Sequence, residues 1–224
     1  MLGSHEQAVR CVEHNPANGL VVSGGWDATV RLWEPRAPLG PGRAVGTLPL
    51  PGKVFSMATS GTRLVVATSG RRIHVYDLRS LRAGAAPAQQ RESPLKYQAR
   101  RDAAPACSAP CVALNVSHTG TQTRCVRCLP DDRGYAVASV EGRVAVDYFD
   151  DAESAASKYA FKCHRRTEGG KDVVYPVNAL GATPACMGRA SHSSCADVVI
   201  AHSAREKPFI RSLAPLPRAA ATDT

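Results

Sequence analysis

Four cysteines near the middle of the chain have the spacing that comes nearest to a metal site. Cys107 and Cys111 are separated by three residues and Cys125 and Cys128 by two, and thiolate pairs at such spacings can close on a tetrahedral Zn²⁺. Residues 124–129 are typical of a strand, however, and residues three apart on a strand point to opposite faces. A zinc site would need a knuckle-like bend there, so we predict reduced thiols and no bound metal.

Motifs for enzymatic chemistry are incomplete elsewhere. Gly40, Gly42 and Gly46 have the wrong spacing for a dinucleotide loop and lack the flanking strand and helix patterns. Residues 169–171, Gly-Gly-Lys, lack the first glycine and the Ser or Thr of a phosphate-binding loop. No Gly-x-Ser-x-Gly elbow occurs, and the seven histidines have no paired metal-ligand spacing. We therefore expect no enzymatic activity and no cofactor.

Composition sets broad limits on the class of protein. The 224 residues are 44% hydrophobic, which is enough to build a core and argues against a wholly disordered chain. The 28 Lys and Arg exceed the 19 Asp and Glu, giving a net charge of +9. That charge suits an acidic partner such as nucleic acid, a phosphopeptide or an acidic protein segment, without choosing among them. With no long apolar run and no signal-peptide profile, we expect a soluble, non-exported chain.

The chain repeats one pattern of short apolar strands separated by turns. Copies lie at residues 5–36, 54–79 and 125–149, and the Trp33-Glu dipeptide of the first copy returns as Tyr76-Asp in the second. A period of about 40–45 residues with three or four strands and a Trp-Asp-like end is the signature of WD-repeat β-propeller blades. The sequence predicts an all-β, partial WD-repeat propeller with about three full four-stranded blades plus fragments.

The first copy carries the residues of a buried hydrogen-bonded chain, namely His5, Ser23, Asp27 and Trp33. Asp27 would accept from the imidazole and nearby amides, and Trp33 would donate its indole N–H, so that each buried polar group is satisfied. We predict that these four residues form a structural tetrad. The other copies have no matching turn aspartate and are expected to lack it.

The repeat is interrupted once and then ends. Residues 101–123 are rich in Ala, Pro, Ser, Thr and Cys without a sustained period, which is typical of a disordered insertion. Residues 175–180 resemble the first strand of a fourth blade. We predict a partial propeller over residues 1–180 and an irregular tail over 181–224 with one strand near 207–213.

Six segments are specific enough to carry a family resemblance. They include Gly-Trp-Asp-Ala-Thr-Val-Arg-Leu-Trp-Glu-Pro-Arg and Tyr-Ala-Phe-Lys-Cys-His-Arg, and they lie at residues 8–16, 25–36, 70–79, 90–98, 140–146 and 159–165. Together they resemble the family of Bub-kinase-binding mitotic checkpoint WD-repeat proteins. The messenger-RNA-export WD-repeat factors are its sister group. Residues 91–98 and 158–165 are closer to the checkpoint branch.

The resemblance implies a non-enzymatic scaffold. Members of the family fold as seven-bladed propellers, bind acidic GLEBS motifs of checkpoint kinases and carry those kinases to kinetochores by docking phosphothreonine repeats. The implied location is the nucleus and the kinetochore, with a cytoplasmic pool, and no membrane is involved. The export branch implies an alternative, an adaptor that binds a nucleoporin GLEBS motif and RNA.

The matching motifs also imply which basic side chains bind partners. They are Arg124 or Arg100, Arg143, and Lys162 with Arg165. On a propeller rim, arginine pairs in a bidentate way with carboxylate or phosphate, and lysine supplies a point charge. A solvated rim cation is the alternative for each of them.

The chain departs from the family pattern at its start and in its middle. It begins where the family's third blade begins, and residues 101–123 split a single Lys-Tyr-Gln-x-Arg-Cys motif, so that residues 98–100 and 122–124 both match its end. These departures predict an incomplete copy of the propeller. The segment 101–123, which splits the motif, is either a genuine insertion or a translated intron.

Overall fold

The computed structural model describes residues 3–36, 44–80, 84–95, 123–163, 165–168, 171–184, 196–201 and 209–212. Three antiparallel four-stranded sheets, here called blades 1, 2 and 3, follow one another along the chain. Blade 1 comprises β1 (Val9–Asn15), β2 (Leu20–Gly25), β3 (Thr29–Trp33) and β4 (Gly46–Pro49). Blade 2 comprises β5 (Val54–Ser60), β6 (Arg63–Thr68), β7 (Arg72–Asp77) and β8 (Gln89–Glu92), with a 3-10 turn at Ser69–Arg71. Blade 3 comprises β9 (Thr123–Cys128), β10 (Gly134–Ser139), β11 (Arg143–Tyr148) and β12 (Tyr159–Lys162), with helix α1 (Asp151–Ser157) between the last two.

Two smaller sheets follow blade 3. A hairpin pairs β13 (Arg165–Glu168) with β14 (Lys171–Val174). A three-stranded sheet contains β15 (Ala179–Pro184), β16 (Ala196–Ala201) and β17 (Phe209–Ser212), paired in that order. In the described residues, no helix is long and apolar enough to cross a bilayer.

Turn chemistry explains where the first strands begin and end. The Oδ1 atom of Asn15 accepts a hydrogen bond from the Ala17 N–H at 2.9 Å, which closes the turn between β1 and β2. Gly19 follows with φ at 69°, in the left-handed region that glycine enters without steric cost. In the turn between β2 and β3, Asp27 Oδ1 accepts from the Thr29 N–H at 3.1 Å. Short polar side chains therefore fix the first two hairpins of blade 1.

The core lies between consecutive blades. The first strands of successive sheets, β1, β5, β9 and β15, contact one another in chain order. Neighbouring residues on one strand reach different cores, because strand side chains alternate between faces. Val66 packs with Val22 of blade 1, whereas Val65 packs with Val137 of blade 3. A third core joins blade 3 to Leu180 of the following sheet.

The predicted partial all-β propeller with about three full four-stranded blades is confirmed. Residues 101–122 of the predicted disordered insertion lie outside the described residues, and Thr123 is already the first residue of β9. The predicted strand at 175–180 begins later, at Ala179, and crosses the expected boundary at residue 180. The Val177 N–H donates instead to the Ser139 carbonyl of blade 3 at 3.3 Å, so this part of the segment is bonded outside the three-stranded sheet.

The segment after residue 180 differs from the expected irregular tail. The strand predicted near 207–213 is present at Phe209–Ser212, but it pairs with a further strand, Ala196–Ala201, that the sequence analysis did not anticipate. The second strand pairs in turn with Ala179–Pro184. The tail therefore contains most of the three-stranded sheet.

Candidate partner-binding surface

The four residues of the predicted tetrad lie together in blade 1. Nδ1 of His5 is 2.9 Å from Asp27 Oδ2, and its Nε2 is 2.7 Å from Ser23 Oγ. The indole N–H of Trp33 donates to the same Ser23 oxygen at 2.8 Å. With a neutral imidazole, Nδ1–H donates to the carboxylate and the Ser23 hydroxyl donates to Nε2, so every group has a partner.

Asp27 is the centre of this network. Burial raises the pKa of its carboxyl, but hydrogen bonds from Thr29 and His5 outweigh that effect and hold the pKa below its usual value. The Thr29 hydroxyl donates to Oδ1 at 2.8 Å, and the Glu6 N–H donates to Oδ2 at 3.2 Å. The side chains of His5 and Asp27 are only 2% and 3% exposed. This arrangement ties the segment before β1 to the sheet and leaves no accessible base.

A row of basic side chains lies at one end of blade 3. Arg143 begins β11 and is directly opposite Lys162, the last residue of β12. Arg124 lies at the same end, because Thr123 pairs with Ser139 and the Ser139 hydroxyl donates to the Arg143 carbonyl at 3.4 Å. We call Arg124, Arg143 and Lys162 the cationic edge. Two strand spacings, about 10 Å, separate the strands that carry Arg124 and Arg143.

The cations of this edge are poorly compensated. Lys162 is exposed and Arg143 is half-buried, and neither forms an ion pair within the described part of the chain. The buried Nε of Arg143 has no hydrogen-bond partner. Like charges directly opposite each other on paired strands are destabilising. An anion bound between them would remove that repulsion and satisfy the guanidinium.

Among the other predicted cations, Arg124 completes the edge, whereas Arg165 lies in a different sheet. Arg124 is exposed, and its Nε donates to Asn178 Oδ1 at 3.2 Å, in the segment that precedes β15. Arg165 begins the β13–β14 hairpin, opposite Val174. Arg100 lies outside the described residues. The structure therefore brings three of the five predicted cations to one edge.

An exposed aromatic residue at the corresponding end of blade 1 was not predicted. Trp26 is 42% exposed in the turn between β2 and β3, and Lys53 Nζ lies 5.4 Å from the centroid of its ring. The turn between β10 and β11 is the equivalent turn of blade 3 and leads into Arg143. Exposed tryptophan and arginine are both enriched in protein interfaces. The Gly-Trp-Asp motif in the sequence could have indicated this exposed side chain, because a large apolar residue in a tight turn cannot pack into a core.

A buried ion network joins blades 2 and 3, and the sequence analysis did not identify it. Arg91 on β8 donates to the carbonyls of Tyr148 at 2.5 Å and Phe149 at 2.9 Å. Its guanidinium also lies 3.4 Å from Asp147 and 2.5 Å from Asp151. The Ser154 hydroxyl donates to Asp147 at 2.5 Å, and the Tyr135 hydroxyl does so at 3.1 Å. This network clamps the outer strand of blade 2 onto blade 3.

The cysteines of β9 point to opposite faces of blade 3. Cys125 packs against the core shared with the three-stranded sheet, and Cys128 packs against the core shared with blade 2. Burial raises the pKa of the Cys11 and Cys128 thiols to about 12. In the described part of the chain, no cluster of three His, Cys, Asp or Glu residues could hold a metal. Cys107 and Cys111 lie outside that part.

The repeat and blade structure described above agrees with the known proteins that this chain resembles. A family model for the WD domain, G-beta repeat, matches residues 1–34. Mitotic checkpoint protein BUB3.1 of Arabidopsis thaliana is 49% identical over 186 residues, which cover 82% of this chain and 47% of that protein. Three further mitotic or spindle checkpoint proteins match at 32–39% identity. Over most of its length this chain is therefore similar to Bub3 checkpoint WD-repeat proteins.

More distant relatives of this chain extend the comparison. The mRNA export factor GLE2 of Chaetomium thermophilum is 29% identical over 82% of the chain and 43% of that protein. The crystal structure of Sqt1 from Saccharomyces cerevisiae superposes with a TM-score of 0.58 over 88% of this chain and 43% of that one, at 9% identity. That likeness concerns the fold alone. The chain spans about half the length of the curated relatives it matches.

Proposed function

We propose that the chain acts as a protein-interaction scaffold of the mitotic spindle assembly checkpoint. In this role it binds GLEBS motifs of checkpoint kinases and recruits them to phosphorylated repeats at the kinetochore. Similarity to checkpoint proteins of four organisms supports the checkpoint assignment. It acts in the nucleus and at the kinetochore, where both kinds of partner would be met.

The cationic edge is the observation that carries the proposal. Arg143 and Lys162 face each other with no compensating carboxylate in the described residues, and the Arg143 Nε is buried without a partner. A phosphothreonine carries nearly two negative charges and three acceptor oxygens at neutral pH. A guanidinium can bind two of those oxygens while the ammonium neutralises further charge. Arg124 lies at the same end of blade 3, and we propose that it and Arg165 contact neighbouring acidic residues of the repeat.

A binding measurement with single variants tests this role. The Arg143→Gln variant should bind a phosphothreonine peptide at least about tenfold more weakly, because it loses a charge-assisted hydrogen bond at a site with little other neutralisation. Lys162→Gln should cause a smaller loss. Arg36→Gln is the matched control, since it removes the same charge at an exposed position away from the edge. Equal weakening in all three variants would mean that only net charge matters and would remove the cationic edge from the proposal.

The export branch provides the second candidate function, an adaptor that binds a nucleoporin GLEBS motif and RNA. The likeness to an mRNA export factor and the net charge of +9 favour it. RNA binding by a basic surface weakens steeply with salt and responds about equally to many Lys and Arg changes. Titration of a single-stranded RNA at two salt concentrations separates the candidates. Tight, salt-sensitive RNA binding that is unaffected by Arg143→Gln would favour the adaptor.

A further inference from the structure

A cleft about 460 Å³ in volume lies at the outer edge of blade 2, on a different blade from the cationic edge. It is lined by Gly70, Arg72, Gln90, Arg91 and Glu92. These residues come from the turn before β7 and from β8, the outermost strand of the blade. Within the described residues, β8 pairs only with β7, so the backbone on its outer side is open to an added strand.

One cation in the lining of the cleft, Arg72, forms no ion pair in the described part of the chain, although Glu92 lies opposite it on the neighbouring strand. Arg91 is committed to the acceptors of blade 3 described above. Glu92 is held by Arg71, whose guanidinium nitrogen lies 3.1 Å from Oε1. Arg72 itself is exposed. The cleft therefore presents a free guanidinium beside the amide of Gln90.

A buried histidine on β7, outside the lining of the cleft itself, has no partner. His74 is 2% exposed, and neither ring nitrogen has a hydrogen bond. It is directly opposite Gln90, while Arg72 is directly opposite Glu92, so all four side chains share one face of the sheet. Burial, with a smaller contribution from Arg72, lowers the pKa of His74 and keeps its ring neutral. An unpaired buried imidazole costs stability, which a ligand group that reached it would recover.

The backbone at the mouth of the cleft is strained. Gly70 has φ at 76°, and the next residue, Arg71, also lies in the left-handed region with φ at 66°. Arg71 is held there by its own side chain, which donates to the Ser93 carbonyl at 3.0 Å, and by its carbonyl, which accepts from the Ser93 N–H at 2.8 Å. Residues kept in such conformations are found preferentially at functional sites.

We propose that this cleft binds an oxyanion carried by an extended peptide, a carboxylate or a phosphoryl group, which Arg72, Gln90 and His74 recognise. The peptide backbone runs along the open edge of β8, and its acidic group enters the cleft. Arg72 supplies the bidentate charge-assisted hydrogen bonds. This site is separate from the cationic edge and does not depend on the proposed checkpoint function.

Fluorescence anisotropy with the full chain and three labelled peptides tests the proposal. The peptides have one extended sequence with a central glutamate, phosphoserine or glutamine. The glutamate or the phosphoserine peptide should bind more tightly than the glutamine peptide, and the tighter of the two identifies the source of the oxyanion. Arg72→Gln should weaken that binding about tenfold, whereas Arg36→Gln should leave it within about twofold. Equal affinity for all three peptides, or no effect of Arg72→Gln, would overturn the proposal.

A second variant separates recognition from folding. His74→Leu replaces an unpaired polar group with an apolar one of similar size, so it should raise the Tm of the free protein. It should also weaken the binding of the acidic peptide several-fold. A merely structural histidine would change the Tm alone. A His74→Leu protein with a raised Tm and the parent affinity would therefore contradict the assignment of His74.

Discussion

Blades 1 and 3 each contain a buried aspartate with several hydrogen bonds, but the two networks hold different things together. Asp27 binds His5 and Thr29, and the whole tetrad lies within blade 1 and the segment just before it. Asp147 binds Tyr135 and Ser154 of its own blade together with Arg91 of blade 2. Blade 1 is thus closed by its own residues, whereas blade 3 depends on its neighbour.

The difference follows from the repeat. Only the first copy has an aspartate in the turn between its second and third strands, so only it can build the tetrad. Blade 3 instead places its aspartate near the end of β11, where the outer strand of the preceding blade can reach it. A charged residue from another blade then serves as the partner of the buried aspartate, as a histidine does within blade 1. Without the tetrad, blade 3 is therefore stabilised by contacts at the junction between blades, whereas blade 1 is stabilised by contacts within the blade.

Breaking the junction should have the largest effect. Arg91→Met keeps much of the aliphatic stem but removes the guanidinium, which leaves Asp147, 8% exposed, as a buried carboxylate without a counter-charge. The free energy of unfolding should fall by about 3 kcal/mol. Urea denaturation followed by circular dichroism measures it. The control is Arg133→Met, whose partner Glu153 is surface-accessible and whose loss should cost under about 1 kcal/mol. Similar losses for both variants would refute the junction network.

Acid titration should distinguish the partnered aspartate from the unpartnered histidine. The pKa of Asp27 is lowered by folding, so its contribution is complete above the unfolded value of about 4 and is lost as the pH falls through the lower folded value. The pKa of His74 is also lowered, so the unfolded chain takes up a proton first, and stability declines as the pH falls below about 6.5.

Two variants assign these windows. His74→Leu should flatten the dependence of stability on pH just below 6.5, and Asp27→Asn should flatten it below about 4 while costing about 2 kcal/mol at neutral pH through weakened hydrogen bonds. Urea midpoints measured between pH 3 and 8 provide the readout. If Asp27→Asn altered only the upper window, the tetrad would not titrate as its geometry requires.

The two networks also explain how far the sequence could predict this structure. The tetrad was predictable, because His5, Ser23, Asp27 and Trp33 lie within one repeat and their roles follow from local strand and turn positions. The Arg91 network was not predictable, because it joins residues of two blades. An arginine on a short polar strand does not show, by its residue type, which residues lie across a blade junction. Strand positions inside a copy follow from local alternation, which does not depend on distant contacts.

The prediction of the last strands and of the candidate partner-binding cations was limited for the same reason. Ala196–Ala201 has the apolar content of a buried strand, but Pro184 at the end of β15 and the Gly-containing segment after it obscured the pairing of the two strands. Family motifs pointed to Arg143 and Lys162 one at a time. Their direct opposition across β11 and β12 depends on register, which becomes visible only in the folded sheet.

The smallest expected effect concerns a contact between blades 1 and 3 themselves. Arg127 on β9 reaches past β5 to Glu13 on β1, with a nitrogen–oxygen distance of 2.8 Å. The Arg127 side chain is 44% exposed, so water screens the pair and removing the charge leaves no buried partner. Arg127→Gln should therefore change the free energy of unfolding by less than about 1 kcal/mol, and by less still at high salt. A loss comparable to that of Arg91→Met would mean that the surface shared by the first strands, and not the Arg91 network, holds blade 3 in place.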